Sequence, residues 1–209
     1  MEKLTVLSHP LLAQKLSILR DERTPAWQFR RTLTEVAQLM AWPVFAHLKL
    51  ESATIRTPLE EMQGAVFADP APAIVSILRA GNGMADAFST ILPEAGIGHL
   101  GMERDHDTHL PRAYYHKLPP QISQRQVVLV DPMLATGGSA IMAANYLRDQ
   151  GVRDMVFACL VAAPEGVAAL QKAEPDMPIM TAALDRELNE NSYILPGLGD
   201  AGDRIYNTQ

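Results

Sequence analysis

The sequence predicts an α/β protein built on a doubly wound, mainly parallel sheet, and three observations support that expectation. Compact apolar runs recur at 73–78 (AIVSIL), 127–130 (VVLV), 155–163 (MVFACLVAA) and 179–183. They lack the polar alternation of a strand with one face in water, as expected for strands covered on both faces. Between them lie segments of helical spacing at 84–92, 138–150 and 165–173, the second followed by Gly151 where a C′ glycine belongs. Strand and helix in repetition imply right-handed βαβ units. Ligands of such sheets gather beyond the C-terminal strand ends, which directs attention to Arg79, Asp131 and the stretch after Ala163.

The remaining elements follow in chain order. Residues 10–20 open with Pro10 after Ser8-His9 and carry Leu11, Leu12, Leu16 and Leu19 at helical spacing. Thr24-Pro25 reads as an N-cap with proline at the first helical position. The helix it opens presents Phe29, Leu33, Val36, Ala37 and Met40 on one face and is expected to end near Trp42-Pro43. Both helices are amphipathic and need a neighbour to pack on. Residues 44–68 read as short strands with turns. Residues 102–117 (MERDHDTHLPRAYYHK) are polar and read as an exposed excursion between sheet elements. His106 and His109 stand there at i, i+3, but with no committed helix and no third ligand they read as solvated loop, not as a metal site.

Bulk properties narrow the function. A chain of 209 residues suits a single domain, 1–209, with the helices of 1–43 as an N-terminal part. A net charge of −6 and no Lys/Arg cluster give nucleic acid no electrostatic footprint. The single Cys159 sits in an apolar run, where it reads as a small buried hydrophobe; one cysteine makes no internal disulfide, in keeping with a reducing cytoplasm. The first residues do not read as a signal peptide, and no apolar run is long enough for a membrane span.

The most informative segment is 127–139, VVLVDPMLATGGS. A buried strand runs straight into Asp131, Pro132, Met133, Leu134, Ala135, Thr136, Gly137, Gly138 and Ser139, and a helix follows. Small residues let backbone approach an anion, and the first helical N–H groups lack intrahelical partners and point at it. Thr136 and Ser139 add hydroxyls. A carboxylate at Asp131 accepts two hydrogen bonds, as vicinal sugar hydroxyls require. Carboxylate and phosphate cradle together therefore read as a ribose 5-phosphate site. The nucleotide-triphosphate pattern G-x-x-x-x-G-K-[ST] is absent, and Gly81-Asn82-Gly83 matches the dinucleotide fingerprint only partly.

This run resembles the phosphoribosyl pyrophosphate (PRPP) motif of phosphoribosyltransferases. With Pro132 in place of a second acid, it takes the form seen in uracil phosphoribosyltransferases. Ile77-Leu78-Arg79-Ala80-Gly81 is similar to that family's pyrophosphate loop, 101–105 to its mobile-arm segment, and Leu188-Asn189-Glu190 with 193–204 (YILPGLGDAGDR) to its uracil-binding segment. The resemblance implies the phosphoribosyltransferase fold with N-terminal helices and a small β excursion. It also implies a flexible arm at 102–118 and a uracil-binding tail at 185–209. By the same resemblance Arg79, Arg104, residues 131–139 and Asp200 bind PRPP, and Ile194, Gly199, Asp200 and Ala201 bind uracil. Arg79 and Asp200 are the catalytic candidates. The implied reaction converts uracil and PRPP to UMP and diphosphate in UMP salvage. Mg²⁺ is bound chiefly through the diphosphate, and no protein metal ligand is expected. The resemblance further implies a homodimer or larger homo-oligomer, and an effector response to GTP that some members show.

Pro196–Asp203 is expected to be neither a regular helix nor a central strand, because its glycines permit a tight path with exposed backbone groups. Such a turn can read the acceptor–donor–acceptor edge of uracil and reject the amino group of cytosine. Several positions depart from the family pattern: Asn82 for leucine, Glu103 for an aromatic residue, Asp105-His106-Asp107 for a glutamate-rich run, Ser192 for glycine, and Asn207 within a closing segment usually Phe-Gly-Thr. Two rivals are a regulatory protein of the same fold that binds RNA, and a transferase for a purine or for orotate. Orotate needs an extra cation for its carboxylate, and the tail offers none beyond Arg204.

Overall fold

The computed structural model describes residues 3–104 and 111–208. Helix α1 (Pro10–Arg20) and helix α2 (Ala26–Phe45) follow a short strand β1 (Leu4–Val6). An antiparallel hairpin, β2 (Glu51–Arg56) and β3 (Glu61–Val66), comes next. The sheet-forming half runs β4 (Ala73–Leu78), α3 (Asn82–Ile91), β5 (Gly96–Arg104), β6 (Pro111–Lys117), β7 (Val127–Val130), β8 (Met133–Leu134), α4 (Gly138–Asp149), β9 (Met155–Ala162), α5 (Pro164–Ala173) and β10 (Ile179–Leu184). A small pair, β11 (Glu187–Leu188) and β12 (Ile194–Leu195), and a terminal helix α6 (Ala201–Tyr206) complete it.

The main sheet has the order β1-β10-β9-β7-β4-β5-β6, with β8 paired to β9. Its pairings are parallel except β5 with β6. The apolar runs are explained by burial on both faces. Val128 and Val130 pack toward α1, α2 and α3, whereas Val127 and Leu129 pack toward α4 and α5. The expected face of α2, Phe29, Leu33, Val36, Ala37 and Met40, is wholly buried. At about 25 cal/mol per Å² of apolar surface, each of these side chains except Ala37 contributes roughly 1.5–3 kcal/mol of transfer free energy.

Three expectations need correction, and one short strand was missed. Helix α2 does not end at Pro43 but includes it, because a proline near the C-terminus forfeits one hydrogen bond while buried Val44 still anchors the last turn. Thr24 does not cap that helix. Its hydroxyl donates to the Ile18 carbonyl at 2.6 Å, closing the α1–α2 corner, and the N-cap is Pro25 with no side-chain bond. The N-terminal strand β1 escaped the apolar pattern because it is only three residues long. Finally, the flanks of the polar excursion are strand: 102–104 finish β5 and 111–117 form β6, a ladder that needs no apolar face to hold its backbone bonds. His106 and His109 lie outside the described residues.

Candidate active site at the strand ends

Strand order reverses between β4 and β7, since the chain runs outward from β4 through β5 and β6 to one edge and then crosses back to β7, and this switch point opens a crevice at their C-terminal ends. A pocket of about 350 Å³ lies there. Three separate segments line it: 77–80 leaving β4; Asp131, Met133, Ala135 and Ser139 after β7; and residues 192–194 with 199–202 of the tail.

The loop after β7 is shaped by pairing to β9. The Pro132 carbonyl accepts from the N–H groups of Leu160 and Val161 at 3.0 and 3.1 Å, and the Leu134 carbonyl accepts from Ala163 at 2.9 Å. Pro132, Leu134 and Gly137 are buried as framework, while Asp131, Met133 and Ala135 face the pocket. Gly137, at φ +85°, is the N-cap that turns the chain into α4. The N–H of Gly138 meets the Thr136 hydroxyl at 3.5 Å, a long contact that leaves it open to a better acceptor. Gly166 at the start of α5 supports this loop from behind: a Cβ there would stand 2.7 Å from the Leu134 carbonyl and closer still to that of Ala135.

Asp131 keeps part of its surface open to the pocket and is enclosed by protein elsewhere. Burial pushes its carboxyl up to about 7, the negative charge of Asp200 adds to the rise, and the Met133 N–H opposes it. Two pocket carboxylates thus sense each other across the crevice before any ligand arrives.

Arg79 is exposed at the rim, and its guanidinium lies 5.4 Å from the ring centroid of Tyr206. The Tyr206 hydroxyl donates to the Arg79 carbonyl at 2.9 Å. Gly81 lets the segment pass closely over the strand ends, since a Cβ would lie 2.5 Å from the Ile77 carbonyl and 2.7 Å from that of Val130. The departure at Asn82 has a partner. The buried Ser76 hydroxyl donates to Asn82 Oδ1 at 2.7 Å and meets His99 Nδ1 at 2.9 Å. With its one proton given to Asn82, Ser76 accepts from His99, which places a proton on Nδ1.

The tail is held by charge. Arg20 makes a two-toothed pair with Asp185 at 2.6 and 2.8 Å and donates to the Gly197 carbonyl at 2.7 Å, while the Gly197 N–H donates to Asp185 at 2.8 Å. Gly197 and Gly199 have φ of +61° and +79°, a region that favours glycine. Arg204 donates to the carbonyls of Leu19, Leu198 and Asp21 and lies 4.4 Å from the Phe29 ring centroid, so its charge is spent on framework. One expectation fails: residues 201–203 are not irregular but open α6. The missed signal is Asp200 itself, an N-cap whose Oδ1 accepts from the Asp203 N–H at 2.9 Å. Asn207 ends that helix at φ 55°, a conformation asparagine tolerates better than any residue but glycine. Ser192 takes φ +64° in the pocket wall, beside Tyr193, whose N–H donates to Asn189 Oδ1 at 2.9 Å.

Of the residues singled out in the sequence, Arg79, Asp131, Met133, Ala135, Ser139, Ile194, Gly199, Asp200 and Ala201 meet around one cavity. Pro132, Leu134, Thr136, Gly137 and Gly138 shape the loop without lining it. Arg104 closes β5 through its backbone, and its side chain lies outside the described set. Ile77, Leu78, Ala80, Tyr193 and Gly202 also line the cavity; they belong to the named pyrophosphate-loop and uracil-binding segments without having been singled out individually, whereas Ser192, noted only as a departure from the family pattern, was missed. Among the described residues no group of three His, Cys, Asp or Glu is assembled to hold a metal ion.

A doubly wound sheet whose crevice joins a strand-end carboxylate to a glycine-led helix N-terminus defines the phosphoribosyltransferase class. The fold agrees with solved structures. The AQ2163 protein from Aquifex aeolicus superposes with a TM-score of 0.89 at 32% identity, over 97% of each chain. Adenine phosphoribosyltransferase from Trypanosoma brucei, in complex with AMP, pyrophosphate and ribose-5-phosphate, gives 0.60 at 12% identity over 88% of this chain and 84% of that one, a likeness of fold. The family model described as uracil phosphoribosyltransferase matches residues 6–208. Relatives named uracil phosphoribosyltransferase from Salinibacter ruber and Streptococcus agalactiae are 50% and 53% identical over 209 residues, covering all of this chain and 99% and 100% of theirs. The chain belongs to the uracil phosphoribosyltransferase family.

Proposed function

We propose that the protein transfers the phosphoribosyl group of PRPP to N1 of uracil, giving UMP and diphosphate for pyrimidine salvage. The observation that carries this reading is the meeting of three segments, distant in sequence, around one pocket: the Arg79 loop, the 131–139 loop and the tail. Kinship with uracil phosphoribosyltransferases over the full chain supports the choice of base.

In this reading the 5-phosphate sits at the N-terminus of α4, against the N–H groups of 137–139 and the hydroxyls of Thr136 and Ser139. Asp131 accepts from the ribose hydroxyls. Uracil lies against Ile194 and 199–201, whose backbone alternates donors and acceptors. The N1–C1′ bond forms as the C1′–O bond to diphosphate breaks, and the N1 proton leaves toward Asp200. Arg79 meets charge that develops on the departing oxygens, with Arg104 approaching from the arm. Bound Mg²⁺ would neutralise diphosphate charge, and with no group of three His, Cys, Asp or Glu among the described residues to hold it, it would be held chiefly through PRPP.

The rivals fare worse. Orotate requires a cation for its carboxylate, and Arg204 is already committed to backbone carbonyls. RNA binding finds little support in a chain of net charge −6. A homo-oligomer is supported by exposed Trp27, Trp42 and Leu59, large apolar surfaces that a second copy would cover. Among the described residues no helix is long and apolar enough to cross a membrane; the lone buried cysteine accords with a cytoplasmic setting. A response to GTP rests on kinship and is tested by adding GTP to the assay. The function itself is tested by incubating the protein with uracil, PRPP and Mg²⁺. UMP and diphosphate should appear in equal amounts; their absence, or salt-sensitive RNA binding in their place, overturns the proposal.

A further inference from the structure

We infer that Tyr206 is a positioning residue for Arg79, and that α6 thereby ties the base-binding wall to the leaving-group end of the pocket. The inference rests on the reading of Arg79 as a diphosphate ligand. One side chain makes two different contacts with one residue. The Tyr206 hydroxyl donates to the Arg79 carbonyl at 2.9 Å, and its ring lies 5.4 Å from the Arg79 guanidinium carbon. The first contact fixes the backbone and the second biases the side chain, within the range at which a cation is drawn to a ring face. Among the described residues the Arg79 guanidinium makes no ion pair, so the ring restrains it while its N–H donors stay available to an anion. A long arginine at an exposed rim would otherwise sample many rotamers, and ordering it on each binding event costs affinity.

The position of Tyr206 is set from the opposite end of the same short helix. Asp200 caps α6 inside the pocket, Ile205 is buried in the core beneath, and Asn207 in the left-handed region stops the helix directly after Tyr206. Asp200 in the pocket wall and Tyr206 beside Arg79 thus stand at the two ends of one short helix.

The test compares wild type, Tyr206→Phe and Tyr206→Leu. Tyr206→Phe removes a single oxygen and keeps the ring; the KM for PRPP should rise about five-fold, as expected for one lost hydrogen bond. Tyr206→Leu removes both contacts and should raise it roughly ten-fold or more. The KM for uracil should stay within about two-fold of wild type in both. Calorimetric titration with magnesium diphosphate reads the same restraint without a base, and its affinity should weaken in the same order. Unchanged diphosphate affinity and PRPP KM in both variants, or equal rises for both substrates with a lowered Tm, would overturn the inference and leave Tyr206 a structural residue. Failure of the wild type to form UMP would instead sink the functional reading, and the diphosphate titration would still decide the role of Tyr206.

Discussion

Asp131 shows most directly how a single group answers to both fold and ligand. Folding raises its carboxyl from an ordinary 3.8 to about 7, so the folded protein holds this proton more tightly than the unfolded chain. Between those two values the stability it contributes falls as pH rises, and the loss is complete above about 7. Asp131→Asn should therefore melt above the wild type at pH 8 and converge with it in acid; an unchanged difference across that range contradicts the assignment. In the proposed site substrate binding has the opposite sign, because there the ribose hydroxyls need the ionised form of Asp131 as acceptor. Log kcat/KM for PRPP should climb with pH and level off near 7, and Asp131→Asn should flatten the profile. At this scale the sequence was legible where a charged residue ends an apolar run, as at Arg79 and Asp131. Tyr206 was not legible, because its partner lies 127 positions away and nothing local marks the pairing.

Among the elements, α6 and α5 bear on the chemistry more than their size suggests. Asp200 serves as N-cap and as pocket acid, and the two roles separate on mutation. Asparagine caps as well as aspartate, so Asp200→Asn should keep stability within experimental error while kcat falls. Asp200→Ala should lose about 1 kcal/mol in urea denaturation as well. A kcat unchanged in Asp200→Asn removes the carboxylate from proton transfer. Gly166→Ala places a methyl group against the carbonyls that shape the phosphate loop. It should destabilise by about 1–3 kcal/mol, as overpacking does, and raise the KM for PRPP more than that for uracil; equal effects on both substrates would place the strain elsewhere. Periodicity revealed α1 to α5 because each is long enough to repeat, and unbroken apolar runs revealed the buried strands. It could not reveal β1 at three residues or α6 at six. Strand β5 was hidden by Gly96, Gly98 and Gly101, which dilute its apolar signal.

For the molecule as a whole, the sheet order decides where function falls. The pocket lies where β4 and β7 part company, so the Arg79 loop and the 131–139 loop arrive side by side although fifty positions of chain separate them. Alternating strands and helices made that layout readable in outline. The tail's contribution was readable as residues but not as geometry: the Arg20–Asp185–Gly197 network and the Leu19 and Asp21 carbonyls on Arg204 join segments from opposite ends of the chain. Those contacts fix a wall of backbone groups, and in the proposed function this wall discriminates by leaving the wrong base with unpaired donors. The most direct test is therefore kcat/KM across uracil, cytosine, orotate and hypoxanthine with saturating PRPP and Mg²⁺. Uracil should exceed each of the others by about 10⁴-fold, with UMP as product. A different preferred base, or comparable values for uracil and cytosine, would contradict the account.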